Sequence, residues 1–109
     1  MPSRPKQSSI QADELAQALA AVLEPLSGQD LVDATIEAIL KHRALIDRVD
    51  QAYDALSAAE NSGQSVADGL RKAYSDAMLN NRAQIAVVAA LTDKLGYIPE
   101  VPAGAKPQA

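Results

Sequence analysis

The sequence predicts an all-α protein: a short N-terminal helix and two long antiparallel helices, dimerising into a helical bundle. Three observations point there. Apolar residues recur at steps of three and four over long stretches, as one face of a helix requires. Turn-forming residues gather in a few clusters that separate those stretches. Hydrophobic residues make up 48% of the 109 positions, yet aromatics only 3%, with no Phe and no Trp, so the core is aliphatic and rich in alanine. Alanine favours helix but buries little area, which leaves a lone chain thinly packed and makes a second copy the natural source of further core.

Residues 1 to 8 carry Pro2 and Pro5 among polar neighbours without periodicity, and read as a flexible arm before a single helical domain over 9 to 99. The first helix is expected to start near Ser8 or Ser9, because Ser8 and Gln11 stand in capping-box relation. Leu15, Leu19, Val22 and Leu26 give it an apolar face, and Pro25 and Gly28 punctuate its end. The second helix should run from about Asp30 to about Ala59, with Val32, Ile36, Ile39, Ile46, Val49, Tyr53 and Leu56 as a nearly heptad seam. Arg43 falls in the one gap of that seam. "ENSGQS", residues 60 to 65, breaks the pattern, and Ser65 with Asp68 resembles a cap for the third helix.

That third helix is expected to reach about Leu95, with Leu70, Tyr74, Ala77, Val88, Leu91 and Leu95 on one face. Gly96 is placed as the left-handed residue past its end, Tyr97 can fold back towards Leu91, and Pro99 prevents continuation. Residues 100 to 109 read as a disordered tail. The residues expected in the core or between two copies are Ile36, Ile39, Ile46, Val49, Leu70, Ile85, Val88, Leu91 and Leu95.

A formal charge of −4 disfavours direct nucleic-acid binding, which exploits clustered basic residues. Zero cysteines exclude disulfides, thiolate metal sites and cysteine nucleophiles, and fit a reducing cytoplasm. No apolar run approaches the roughly 20 residues of a membrane span, and "MPSRPKQSS" is followed by no apolar leader core. The expectation is a soluble, cytoplasmic protein without a cofactor. His42 is the one histidine, so a metal bound there would have carboxylates as its other side-chain ligands, a poor match for zinc. As a general base it lacks any nucleophile at suggestive spacing. It reads better as a hydrogen bonder facing a partner or a sister subunit.

The acidic pairs Asp13/Glu14, Asp47/Asp50 and Asp50/Asp54 are explained as a solvated face, with local ion pairs among Lys41, Arg43, Asp47 and Arg48. Asn80, Asn81, Arg82 and Gln84 form a polar band that either fixes register inside a bundle seam or faces solvent. Leu31, Leu56 and Tyr74 suit a core by periodicity, while tyrosine also suits a binding hot spot; spacing does not separate the two.

Two stretches together resemble the TraM family of quorum-sensing antiactivators. They are "DLVDATIEAILKHRALIDRVDQAYDAL", residues 30 to 56, and "YSDAMLNNRAQIAVVAALTDKLGYIPEV", residues 74 to 101. The first carries Ala38, Ile39, His42 and Arg43, then Asp50 and Leu56; the second carries Tyr74, Ala83-Gln84 and Leu95-Gly96-Tyr97-Ile98-Pro99, with Tyr97 where other members have Phe. The resemblance implies a homodimer of small helical chains that binds TraR, a LuxR-type activator responsive to an acyl-homoserine lactone. It implies stoichiometric blocking of that activator's DNA binding, and so repression of conjugal-transfer genes, without chemistry. Carried over residue by residue, it implies Leu31, Leu56 and Tyr74 for regulator binding, with His42 and Arg43 in support.

Two rival readings stand beside it. "HRALIDRVDQAYDAL" is similar to the start of helical chorismate mutases, but the basic residue expected shortly after Leu56 is replaced by "SAAEN", and such enzymes need cations to hold a dicarboxylate. A direct DNA-binding regulator of plasmid transfer would use Arg43, Arg48, Arg71, Lys72 and Arg82 as a local basic patch against the overall charge.

Overall fold

The computed structural model describes residues 4 to 63 and 68 to 106. Helix α1 spans Arg4–Leu23, α2 spans Gly28–Asn61 and α3 spans Asp68–Leu95, and no strand occurs among the described residues. α1 starts ahead of the expected Ser8 or Ser9 and carries Pro5 in its first turn, where a missing N–H breaks no helical bond. The cap expected from Ser65 lies outside the described residues.

The ends follow local chemistry. After α1 the chain tightens through Glu24 N–H to the Ala21 carbonyl and Leu26 N–H to the Leu23 carbonyl, so Pro25 is passed without continuing the helix. Ser27 is extended and Gly28 left-handed, with φ 56°, so α2 begins two residues before the expected Asp30. Its far end closes on Gly63, φ 74°, whose N–H reaches the Glu60 carbonyl. Gly96 ends α3 as anticipated: φ is 89° and its N–H bonds the Thr92 carbonyl at 2.8 Å, the left-handed cap that a side chain would strain. Tyr97 does not fold back; it is more than half exposed, and Pro99 is the buried residue of that stretch.

α2 and α3 pack along each other, and among the described residues α1 packs on α3 and not on α2. The hairpin is antiparallel, since Gln84 meets Ala38 while Tyr74 meets Tyr53. The described chain measures 53 × 50 × 19 Å, flat in one direction. So flat a chain leaves its broad faces open.

The core is accordingly small. Leu31, Ala38 and Leu91 form its buried centre, with Leu23, Leu26, Ala34, Val87, Val88 and Leu95 packed around them. Thr35 is fully buried and back-bonds its hydroxyl to the Leu31 carbonyl at 2.7 Å. Gln84 is buried and donates to the Ala38 carbonyl at 3.0 Å, tying α3 to α2. The polar band of α3 therefore divides: Gln84 points inward, Asn81 is half-buried, and Asn80 and Arg82 face solvent.

The seam expected on α2 is rotated. Leu31, Thr35 and Ala38 are buried, each one position before Val32, Ile36 and Ile39, which is about 100° around a helix of 3.6 residues per turn. Small residues at 35 and 38 allow α3 to approach, whereas the branched residues beside them are half-buried within the chain. Ile46 and Ile85 are 40% and 41% exposed, so neither belongs to the core of one chain. Val49, Leu70, Val88 and Leu95 are half-buried, and Leu91 is fully enclosed at 3%.

Candidate protein-binding surface

One open face of the chain carries an apolar stripe. Counting about 100° per residue, Ile39, Ile46 and Tyr53 lie on one flank of α2, and Tyr74 and Ile85 on the adjoining flank of α3. Contact between the flanks is direct, because the Tyr53 and Tyr74 rings stand 5.9 Å apart at 55°, a tilted pair. Tyr53 is 54% exposed, so the pair offers apolar ring surface together with two hydroxyls. The spacing of the sequence marked Tyr53 only as part of a seam, and its pairing with Tyr74 required the hairpin's register.

The five residues singled out for regulator binding do not form one site. Leu56 and Tyr74, both half-buried, lie towards the loop end of the hairpin. Leu31 sits 25 positions before Leu56 on the same helix, about 37 Å along its axis. It is 6% exposed and packed in the core of the chain with Ala38 and Leu91. His42 and Arg43 stand midway along α2 and are half-buried.

His42 faces the hairpin interior, and its Nε2 is a buried atom without a hydrogen-bond partner, as is Asn81 Oδ1. One helical turn along each antiparallel helix from the Ala38–Gln84 bond brings His42 level with Asn81. The two orphaned atoms therefore share a polar layer between the helices, and complementary hydrogen-bonding capacity lies there unused. That nitrogen is enclosed, while the residue as a whole is half-buried.

Arg43 departs most from expectation. Its guanidinium makes no local pair with Asp47; it donates through Nη1 to the Pro102 carbonyl at 2.7 Å and through Nη2 to the Val101 carbonyl at 3.1 Å. Residues 100 to 106, expected to be a disordered tail, run without helix or strand beside α2, with Val101 and Ala105 half-buried. The two prolines of "IPEVP", residues 98 to 102, are the sequence signal for a stiff segment there.

No group of three or more His, Cys, Asp or Glu residues capable of holding a metal occurs among the described residues. Asp47, Asp50 and Asp54 are all exposed along α2, and an exposed ion pair on α3, Lys72 with Asp76 at 2.6 Å, is of the surface kind that contributes little. An open groove of ≈ 580 Å³ between α1 and α3 is lined mainly by apolar side chains, Leu15, Leu19, Leu23, Ala86, Ala89 and Ala90 among them, with Glu24, Asp93 and Lys94 also lining it. No helix among the described residues is long and apolar enough to cross a membrane.

Comparison with known proteins gives a consistent result. The family model for the prokaryotic transcriptional repressor TraM matches residues 1–100. A "Transcriptional repressor TraM" of Agrobacterium fabrum (strain C58) is 35% identical over 81 residues, covering 74% of this chain and 79% of the relative. Another of that name, from Rhizobium radiobacter, is 33% identical over 72 residues, covering 66% and 71%. No solved structure gives a significant match.

Proposed function

The chain belongs to the TraM family of prokaryotic transcriptional repressors, and from that premise we propose that it acts as an antiactivator, binding a TraR-type LuxR-family activator and keeping it off DNA. Repression by this route needs no contact with DNA and no chemistry. It would lower expression of plasmid conjugal-transfer genes under quorum-sensing control, and the working unit is a homodimer in the cytoplasm.

The observation that carries this reading is the exposed apolar stripe around Tyr53 and Tyr74 on a chain of net charge −4. A DNA-binding domain presents positive charge, and an acidic partner meets it faster than a neutral one would. Aromatic residues with apolar faces and polar tips then anchor the complex against dissociation. Ile46 and Ile85, exposed in one chain, suit the contact between two copies, since a flat chain with a small core gains burial by association.

A gel-shift titration tests the proposal. Ligand-loaded TraR-type activator is bound to its promoter DNA and the purified protein is added; stoichiometric loss of the activator–DNA band, with co-elution of the two proteins, is expected. Persistence of that band without co-elution rejects the antiactivator reading. A shift of DNA by this protein alone, steeply weakened by salt, would instead establish direct binding, and chorismate turnover above background would establish the enzyme alternative.

A further inference from the structure

The outer edge of α2 holds a groove lined on one side by Leu40, Ala44 and Asp47 and on the other by Ala103, Gly104 and Ala105. Leu40 is 6% exposed, yet it stands outside the core cluster of Leu31, Ala38 and Leu91. Arg43 at the same edge places two donors of one planar guanidinium on two consecutive backbone carbonyls, those of Val101 and Pro102. The Pro102 carbonyl also accepts the Ala105 N–H at 3.1 Å, so a turn is closed at the very oxygen that Arg43 holds. A fork of this kind recognises paired acceptors in a fixed plane, which a lysine cannot reproduce. Pro102 restricts Val101 to extended conformations and has no N–H of its own to satisfy, so ordering the segment costs less entropy than it would for another sequence.

The family model stops at residue 100, and both carbonyls held by Arg43 lie beyond it. We propose that the outer edge of α2 is a docking edge for this chain's own segment Val101–Lys106, held by Arg43 as its clasp, and that the docked strap withholds this edge of α2 from the activator until it is displaced. The second half rests on the antiactivator reading; the first does not. With the strap in place, Arg43 has its donors committed within the chain, and a partner reaching for Arg43 must first release two charge-assisted hydrogen bonds. Apparent affinity falls by the fraction of molecules in which the strap is open.

The chain has no cysteine, so a single Ala105→Cys variant can carry one spin label. We expect that label to be immobilised in the otherwise unchanged chain and mobile when Arg43→Gln is added. Mobility in both, or immobilisation in both, overturns the clasp. Because Arg43→Gln could perturb the helix itself, an Asp47→Cys/Ala105→Cys chain with Arg43 intact gives a second measurement: a short bifunctional thiol crosslinker should join the two sites within one molecule, and failure to do so overturns the docking of the strap on α2.

A chain ending at Glu100, added to the activator, then addresses the withholding. We expect it to bind about tenfold more tightly than the full chain, equivalent to about 1.4 kcal/mol. Equal affinity overturns the withholding role and leaves a structural clasp. Absence of binding by both chains rejects the antiactivator reading and the withholding with it, while the label and the crosslink still decide whether the strap docks.

Discussion

Replacing Gln84 separates what its amide contributes to stability from what its volume contributes. The side chain is 7% exposed and donates at 3.0 Å to the Ala38 carbonyl across the hairpin. Gln84→Ala deletes that bond, worth about 1 kcal/mol net, and removes one buried methylene at roughly 0.8 kcal/mol, so a loss of about 2 kcal/mol is expected. The Ala38 carbonyl, inside α2, keeps its helical partner and is not orphaned. Gln84→Leu deletes the same bond but fills the space and spares the amide its desolvation, so its stability should lie within about 1 kcal/mol of the parent. Urea unfolding followed by far-ultraviolet circular dichroism, at one fixed protein concentration, reads both values. Equal large losses for the two variants, or a silent Gln84→Ala, would refute the assignment of Gln84 to the packed interface.

Other expectations follow from single sites. Asn81→Leu replaces a side chain whose Oδ1 is buried without a partner, so it should be neutral or raise stability by up to about 1 kcal/mol, read as the midpoint of thermal unfolding. Gly96→Ala places a Cβ at φ 89° where only left-handed backbone closes the cap, and should cost about 1 to 2 kcal/mol in urea unfolding with no change in helix content. Tyr74→Ala opens the tilted pair with Tyr53; activator affinity should fall at least about thirtyfold, or 2 kcal/mol, with the helical spectrum retained. Unfolding of that last variant would place Tyr74 in the core instead.

Much of the architecture was legible because it is local. Gly96 followed by Pro99 marks a helix end by backbone sterics alone, and the structure has its left-handed φ and its bond to Thr92 where the pattern placed them. Small and branched residues on α2 were harder to rank. Ile36 and Ile39 look like a seam because they are the larger hydrophobes, yet Thr35 and Ala38 are buried, since close approach of α3 selects for small side chains. Gln84 and Asn81 were indistinguishable as polar interruptions of one face, but three residues of helix turn one towards Ala38 and leave the other with an unpaired oxygen.

Helix periodicity, caps and composition act over a few residues, and by themselves they determined an all-helical chain with two long helices and too little aromatic bulk for a deep core. Tertiary structure alone decided which flank of α2 meets α3, that Tyr53 stands against Tyr74, and that Arg43 reaches 58 and 59 positions along the chain to hold Val101 and Pro102. A hydrophobic pattern states how much of a helix can be buried, but the rotation of one helix against another is set by side-chain volumes on both at once.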